Sequence, residues 1–406
     1  MKTTHQDQQF SVFPIPLRLF CLLALGLALS KAHAATETWG GPTTDNLWST
    51  PANWGATSPA SGDDAVFPSL GGLRSVDLAG SQQINSVQFN SGNPNTYVLY
   101  DGTLDISSFI DQAGSADATF FCAVSFASAV TLSGAGSGNV YLQGGLNGSP
   151  SISMVGGNYW WAGTSGFNPA GLNITGGYLH LIGTNQVTFG SNVQIQNGGT
   201  MCVQGSFPST VSAPGWDVLA GGTLKVNGTV TGPVNVSGGT FAAGCSPGSA
   251  DVQGDLFFHP SASAEFELAT PNIIASGNDW VSVKGNLTLD GRINIVALPG
   301  FGVGTYRLYN YSGVLTDNGV HLGQLPSGFA CQLDSSTPGQ VNLVVALASP
   351  QSCDVAVTAG FVLIANQLDH GSNTLSEVIS NAPDGSAVYK YNNGSGTWSK
   401  STYSAA

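Results

Sequence analysis

A Gly-Gly pair followed by a strand-like run recurs four times, and this repeat constrains the fold more than any other feature. The copies begin at residues 176, 198, 221 and 238 and read Gly-Gly-Tyr-Leu, Gly-Gly-Thr-Met, Gly-Gly-Thr-Leu and Gly-Gly-Thr-Phe. Intervals of 22, 23 and 17 residues are typical of stacked repeats rather than of a compact domain. Three short strands with their turns fill such an interval, which predicts the coils of a parallel β-helix. Paired glycines supply the positive φ that corners between strands require.

The same strand pattern continues from about Val76 to Ala346. Short runs of β-branched and aromatic residues alternate with Gly, Asn and Ser, as in Ile84–Phe89, Tyr178–Ile182 and Asn286–Leu289. Such alternation predicts strands with one buried face, and no amphipathic helix interrupts it. We therefore expect an all-β solenoid domain over residues 76–347. A pair of antiparallel sheets packed as a sandwich is the alternative, because the pattern alone does not separate parallel from antiparallel strands.

The low charge content agrees with a solenoid. Charged residues make up 8% of the 406 residues, against roughly 25% in an ordinary globular domain. Equivalent residues of successive parallel coils lie about 4.8 Å apart, so a charge repeated in every coil would repel its own copy. Thr, Ser, Asn and Gln stack well because each can donate and accept hydrogen bonds. The net charge of −13 argues against nucleic acid and against anionic membrane surfaces as partners.

Residues 1–34 have the features of a secretory signal peptide. Lys2 and Arg18 supply the positive segment, and Leu19–Leu29 forms an eleven-residue apolar run. That run is short for a bilayer span, and Ala32-His33-Ala34 fits the small-x-small cleavage rule. We expect export, cleavage before Ala35 and no membrane insertion of the mature chain. A membrane anchor is the alternative.

The segment 35–75 is rich in tryptophan. Trp39, Trp48 and Trp54 fall within sixteen residues. Because the open end of a solenoid would otherwise recruit other chains, we interpret the segment as an N-terminal cap that packs its rings over the first coil. The alternative is an exposed aromatic platform for sugars.

Two regions carry a resemblance to a known family. The first is Trp39–Phe67; the second is an ordered series made of Gly244–Ser249, Gly254–Leu256, Glu265–Leu268, Asp279–Leu289, Leu298–Phe301, Gly304–Leu308 and Gln340–Leu343. The series begins with a Gly-x-Ser-Pro-Gly turn. Together these regions resemble the autotransporter-associated β-strand repeat proteins, a family of exported bacterial surface proteins.

The resemblance implies a right-handed parallel β-helix that acts as a passenger of a Gram-negative bacterium. It further implies an extracellular or outer-surface location, with the periplasm as the alternative. Autotransporters in the strict sense also carry a large outer-membrane barrel, for which the 59 residues after Leu347 are too few. We therefore expect a passenger-like chain without a translocator barrel, and do not carry over the barrel's route across the outer membrane.

Residues 348–406 differ in pattern and predict a small C-terminal β-rich unit. Phe361–Asn366 is predicted as a strand and Thr374–Ile379 as a short helix. Tyr389–Tyr391 and Thr397–Ser399 flank Asn392–Gly396, which predicts a hairpin. The unit resembles the first half of a small domain, so we expect it to be truncated at Ala406.

Five cysteines remain after signal cleavage, namely Cys122, Cys202, Cys245, Cys331 and Cys353. Their spacing fits neither a zinc motif nor a disulfide scaffold. Cys331 and Cys353 are candidates for one disulfide in an oxidising compartment. We interpret the other three as small buried hydrophobic residues.

The sequence predicts no catalytic residue, metal site or cofactor. A polysaccharide lyase needs a base near acidic residues, but Lys225 is the lone Lys or Arg between Leu78 and Val283. A hydrolase needs two carboxyl groups roughly 5–10 Å apart. The pairs Glu265 with Glu267 and Asp251 with Asp255 are interpreted as solvated faces. The histidines lack metal-ligand spacing, and no phosphate-binding or dinucleotide loop occurs.

Tyr159, Trp160 and Trp161 are the candidate ligand contacts, because large aromatic residues at a surface mark contact sites. Neighbouring residues of a strand face opposite sides, so one of the two tryptophans is expected in the core. We expect a non-catalytic secreted or cell-surface protein with an adhesive, matrix or spacer role. Its expected partner is an extracellular glycan or other cell-surface material. A polysaccharide-active enzyme or a carbohydrate-binding module on the same fold are the alternatives.

Overall fold

The computed structural model describes most of the chain after the predicted signal peptide. The described residues are 34–70, 74–92, 96–127, 129–162, 166–183, 186–204, 210–245, 247–274, 277–348, 383–392 and 394–402. Apart from Ala34, the predicted signal peptide lies outside these ranges. Within them the structure consists of strands, turns and one short 3₁₀ helix, Pro51–Trp54.

Thirty-two strands build the solenoid. The first sixteen are β1 Thr36–Thr38, β2 Asp64–Phe67, β3 Arg74–Asp77, β4 Ser81–Phe89, β5 Tyr97–Tyr100, β6 Thr103–Gln112, β7 Ala118–Phe120, β8 Ala123–Phe126, β9 Val130–Ser133, β10 Asn139–Leu142, β11 Leu146–Gly148, β12 Ser151–Trp161, β13 Gly171–Ile182, β14 Gln186–Thr188, β15 Val193–Ile195 and β16 Thr200–Gln204. The others are β17 Thr210–Ser212, β18 Trp216–Leu219, β19 Thr223–Thr231, β20 Val234–Ser237, β21 Thr240–Ala243, β22 Ser249–Gln253, β23 Leu256–Phe258, β24 Ser263–Leu268, β25 Trp280–Val283, β26 Leu287–Leu289, β27 Arg292–Ala297, β28 Gly304–Tyr311, β29 Leu315–Asp317, β30 His321–Leu322, β31 Phe329–Asp334 and β32 Gln340–Leu347.

The strands stack in three parallel sheets. Sheet 1 contains β1, β2, the second halves of β4 and β6, β9, the first halves of β12 and β13, β15, β18, β20, β23, β26 and β29. Sheet 2 contains β3, β5, β7, β10, the second halves of β12 and β13, β16, the first half of β19, β21, β24, β27 and β30. Sheet 3 contains the first halves of β4 and β6, then β8 and β11, and further along β14, β17, the second half of β19, β22, β25 and β28. This parallel pairing confirms the predicted β-solenoid and excludes the sandwich for the described residues.

One column of sheet 1 shows how the sequence repeat builds the core. Its inward side chains pair from coil to coil and are all buried; they are Ala65, Val87, Ile110, Leu132, Met154, Ile174, Ile195, Val218, Val236 and Phe258. Neighbours in this column are 18 to 23 residues apart in the sequence. Burying each large apolar side chain contributes about 1.5–3 kcal/mol, so the column repeats the same stabilising contact in every coil.

The Gly-Gly pairs form a corner before sheet 2, as predicted. The residues that follow them, Tyr178, Thr200, Thr223 and Thr240, are register partners in successive coils. One glycine of each pair has positive φ, namely Gly177, Gly198, Gly221 and Gly238. The backbone conformation that only glycine adopts at low cost therefore marks the same corner in each of these coils.

The N-terminal tryptophans are a cap and not a sugar platform. Trp39 and Trp48 are fully buried, and Trp54 is 4% exposed. The ring centroid of Trp54 lies 5.0 Å from that of Trp39 and 4.8 Å from that of Trp48. All three pack against Phe67 of β2, whose ring stacks on Phe89 of the next coil at 5.2 Å. The cap segment also contributes β1 and β2 to sheet 1.

The interpretation of Cys202 and Cys245 as unpaired hydrophobic residues is wrong, because the two form a disulfide. Cys202 faces outward on β16, where its register partner is Lys225, and Lys225 pairs with Ala242 in the following coil. Cys245 comes three residues after Ala242. The disulfide thus spans an intermediate coil, and its formation depends on the 23- and 17-residue lengths of two coils rather than on a local motif. Cys122 is a buried free thiol, as interpreted, and Cys331 is a half-buried free thiol. Cys353 lies outside the described residues.

The last coil ends differently from the others. On sheet 3, β32 pairs with β28 in the antiparallel direction. A second compact unit comprises Gly328–Ala330 and Ala346–Ala406. It holds an antiparallel hairpin of β33 Ala387–Asn392 and β34 Thr397–Thr402, which confirms the predicted hairpin. The strand predicted at 361–366 and the helix predicted at 374–379 lie outside the described residues.

Candidate ligand-contact surface

Tyr159 and Trp161 face the interior, and Trp160 is the member of the predicted contact triplet that reaches the surface. Tyr159 and Trp161 are fully buried, whereas Trp160 is half-buried. The Tyr159 hydroxyl donates to the backbone oxygens of Ile110 at 2.8 Å and Ser133 at 2.6 Å. Burial raises the pKa of this phenol well above its ordinary value. The alternation expected for neighbouring strand residues thus divides the triplet between core and surface.

Trp160 belongs to an aromatic row on the outer face of sheet 2, which we call the sheet 2 aromatic row. Its members are Tyr141, Trp160, His180 and Tyr178. Tyr141, Trp160 and His180 are register partners in three successive coils. The Trp160 and His180 ring centroids are 3.5 Å apart with planes at 4°, and His180 and Tyr178 are 4.1 Å apart at 13°. Tyr141 stacks on Trp160 at 5.9 Å and 30°.

This stacking decides what the row can do chemically. A sugar ring binds an aromatic side chain through the face of the ring, but His180 and Tyr141 are stacked against Trp160 and leave mainly its edge for a ligand. Burial lowers the pKa of His180 to about 4, so its imidazole is neutral at pH 7. Burial and, next, the charge of Asp117 raise the pKa of Tyr141. The row is therefore an uncharged aromatic ladder that holds three coils together.

Polar side chains beside the row are paired with one another. Asp117 accepts from the backbone and side-chain nitrogens of Asn139 at 2.8 and 2.9 Å. The Asn139 side-chain oxygen in turn accepts from Asn158 and, at 3.4 Å, from the indole nitrogen of Trp160. Each bond joins one coil to the next, so these groups stabilise the stack and orient Trp160.

The carboxylate pairs of the sequence do not converge with a base. Glu265 and Glu267 are half-buried and alternate along β24 with inward residues. Lys225 lies two coils away from Glu265, because Ala242 stands between them in the register. Two coil spacings amount to roughly 9.6 Å, which is beyond the hydrogen-bond reach that proton transfer requires.

Asp279 is the buried carboxyl that sequence reasoning missed. It is 1% exposed, and its two oxygens accept from the backbone nitrogens of Gly248 and Glu267, each at 2.7 Å. Burial raises its pKa to about 7, with smaller contributions from the charges of Glu267 and Glu265. Because the carboxyl is closed off from solvent and both oxygens are occupied, we assign it to holding the Gly-x-Ser-Pro-Gly turn against β24. A single sequence offers no signal for this burial.

A small groove opens on the outer face of sheet 3, between β22 and β25. Its lining residues are Ser249, Ala250, Asp251, Trp280, Ser282 and Lys284, and its volume is about 180 Å³. Trp280 is half-buried and Lys284 is exposed. Sequence reasoning listed Asp251 with Asp255, but register pairs Asp251 directly with Ser282 and places Trp280 beside it.

Metal and membrane sites were also sought among the described residues. No cluster of three or more His, Cys, Asp or Glu side chains in these ranges could hold a metal ion. The same ranges contain no helix whose length and apolarity would let it cross a membrane.

Comparison with known proteins gives one informative similarity. No family model matches the chain. Over 115 residues, or 27% of this chain, the sequence is 38% identical to an adhesin, "Adhesin BmaC autotransporter", of Brucella suis biovar 1 (strain 1330). The matched part is 3% of the length of that relative. Together with the parallel β-solenoid, this similarity confirms the resemblance to autotransporter passengers that the sequence motifs indicated.

Proposed function

We propose that this chain is a non-catalytic adhesive protein of the outer cell surface, exported and displayed as a passenger-like β-solenoid. The observation that carries the proposal is the 38% identity over 115 residues to a protein named as an adhesin autotransporter. The name belongs to that relative, and the shared segment is a small part of it. The parallel solenoid supports the same role because its coils present one long, repetitive surface.

The outward polar side chains support a scaffold rather than an active site. In the ladder of Asp217, Asn235 and His259, Asn235 donates to Asp217 at 3.5 Å and contacts the His259 ring nitrogen at 2.8 Å. Like the ladder of Asp117 and Asn139, it connects successive coils. Groups that would be needed for proton transfer are thereby used to stabilise the stack, which favours an adhesive or spacer role over a lyase or hydrolase.

The proposal is tested by adhesion of the purified exported chain. Beads coated with the protein are incubated with immobilised glycans, matrix proteins and cell monolayers, and heat-denatured protein on identical beads is the control. We expect saturable binding to at least one surface that the denatured control lacks. Release of reducing ends or unsaturated uronates from acidic polysaccharides, without surface binding, would overturn the proposal in favour of the enzyme alternative.

A further inference from the structure

We propose that the groove between β22 and β25 binds one neutral sugar residue of a surface glycan, with Trp280, Asp251 and Lys284 as its contacts. This names the ligand class for the adhesive role and so rests on the proposed function. The site is separate from the sheet 2 aromatic row, since it lies on the outer face of sheet 3.

The first argument is an unmet donor and an unmet acceptor in one groove. The indole nitrogen of Trp280 and the Oδ1 atom of Asp251 are buried, and neither has a hydrogen-bond partner. Burying such atoms unpaired costs about 1–3 kcal/mol each. A sugar hydroxyl both donates and accepts, so a sugar can satisfy both atoms once the half-buried Trp280 side chain turns toward it. The second Asp251 oxygen already accepts from Gln253.

The second argument is the aromatic ring itself. Among the described residues, Trp280 stacks on no other aromatic side chain, in contrast to Trp160 between Tyr141 and His180. Its indole therefore retains a face against which the apolar face of a pyranose can pack. Aromatic rings combined with a few polar groups are the usual lining of small-molecule sites.

The third argument is the departure of this region from the regular coil length. Leu256 pairs with Leu287 across 31 residues, whereas preceding coils measure 18 to 23. Insertions into solenoid repeats commonly lie on the binding face. Asn278 closes the longer loop by accepting from Ala269 and Thr270 at 2.6 and 3.0 Å. Asp279 then fixes the backbone directly before Trp280, so the start of β25 is held in place before a ligand arrives.

Size and charge define the ligand class. A volume of about 180 Å³ is below the roughly 300–1,000 Å³ of pockets that enclose drug-sized ligands, which favours a single sugar with the remainder of the glycan in solvent. One carboxylate and one ammonium line the groove, so it has no net charge. The protein's charge of −13 further disfavours acidic sugars.

The test is saturation-transfer NMR with the full chain and methyl glycosides of glucose, galactose, mannose and N-acetylglucosamine, with glucuronic acid as the acidic probe. We expect millimolar binding of at least one neutral glycoside. Trp280→Ala and Asp251→Asn should weaken it at least tenfold, and Lys284→Gln by a smaller factor. Trp160→Ala is the matched control and should leave it unchanged. Lys284 is exposed, so its variant reports on binding even where Trp280→Ala unfolds.

The outcomes separate this inference from the proposed function. Absence of neutral glycoside binding, binding of glucuronic acid alone, or binding unchanged in both the Trp280 and Lys284 variants would each overturn the sugar site. Surface adhesion by beads would then still support the proposed function. Glycoside binding that depends on Trp280, with no adhesion to any surface, would support the site and overturn the adhesive role.

Discussion

At the scale of single residues, Asp279 shows two opposing effects on one carboxyl. Two backbone amides donate to it, which favours the charged form, while exclusion from water favours the neutral form. Desolvation is the larger effect and raises its pKa to about 7 from an ordinary value of 3.8. The folded protein therefore holds a proton that the unfolded chain has already released between these two pH values.

This imbalance predicts that Asp279 makes the fold less stable as the pH rises. Between pH 5 and pH 8 the folded carboxyl must ionise, whereas the unfolded one is already charged, so the free energy of unfolding falls with rising pH. A shift of this size corresponds to about 2–3 kcal/mol over that range. Urea denaturation of the wild type and of Asp279→Asn at several pH values measures the difference between them.

In Asp279→Asn the fall due to this group should disappear, although the variant also loses one acceptor and is less stable throughout. Parallel curves for the two proteins from pH 5 to pH 8 would contradict the prediction. The other carboxyl groups are common to both proteins, so their contributions cancel in the difference.

At the scale of elements, the Gly-Gly corners set the close approach of successive coils. A Cβ atom on Gly177, where φ is +79°, would lie 2.5 Å from the backbone oxygen of Gly157 and 2.6 Å from the carbonyl carbon of Gly156. Gly198 has a similar φ of +88°, but no atom lies within 4 Å of the same position. The two corners therefore separate the cost of backbone conformation from the cost of steric contact.

We expect Gly177→Ala to destabilise the solenoid more than Gly198→Ala. The control variant should lose about 1–2 kcal/mol, from the unfavourable backbone conformation alone. Gly177→Ala should lose a further 1–3 kcal/mol or so, because the coil below must move. Urea denaturation followed by circular dichroism provides both values, and equal losses would show that the coils do not approach closely at this corner.

The sequence predicted these elements because their cause is local. Positive φ demands glycine, and alternation separates Trp161 in the core from Trp160 at the surface. The covering of the Trp160 ring by Tyr141 and His180 was not predicted, since it depends on coil lengths that bring residues 19 and 20 positions apart into register. Aromatic residues one coil apart are the signal that would have found the row. The groove was missed for the same reason, because register and not spacing brings Asp251 beside Trp280.

At the scale of the whole molecule, the disulfide between Cys202 and Cys245 joins coils that the backbone connects only through an intermediate coil. It closes a loop over a sequence separation of 43 residues. In a solenoid each coil contacts mainly its neighbours, so a covalent link across one coil couples parts that otherwise unfold nearly independently.

Replacing both cysteines by serine should lower the free energy of unfolding by about 2–4 kcal/mol, because the unfolded chain regains the freedom of the open loop. Reduced wild-type protein should behave like the double variant. Cys331→Ser, which removes a half-buried free thiol, is the control and should change stability by less than about 0.5 kcal/mol. A double variant as stable as the oxidised wild type would contradict the prediction.

The two ends of the solenoid are built differently from its middle: tryptophans cover the first coil, and β32 reverses direction against β28 at the last. Coils between these ends are near copies in length and register. Gene duplication or deletion of one whole internal coil would therefore change the reach of the molecule by about 4.8 Å while preserving both termini of the stack. Evolution can adjust the distance between a cell and what it touches in such steps without inventing a new fold.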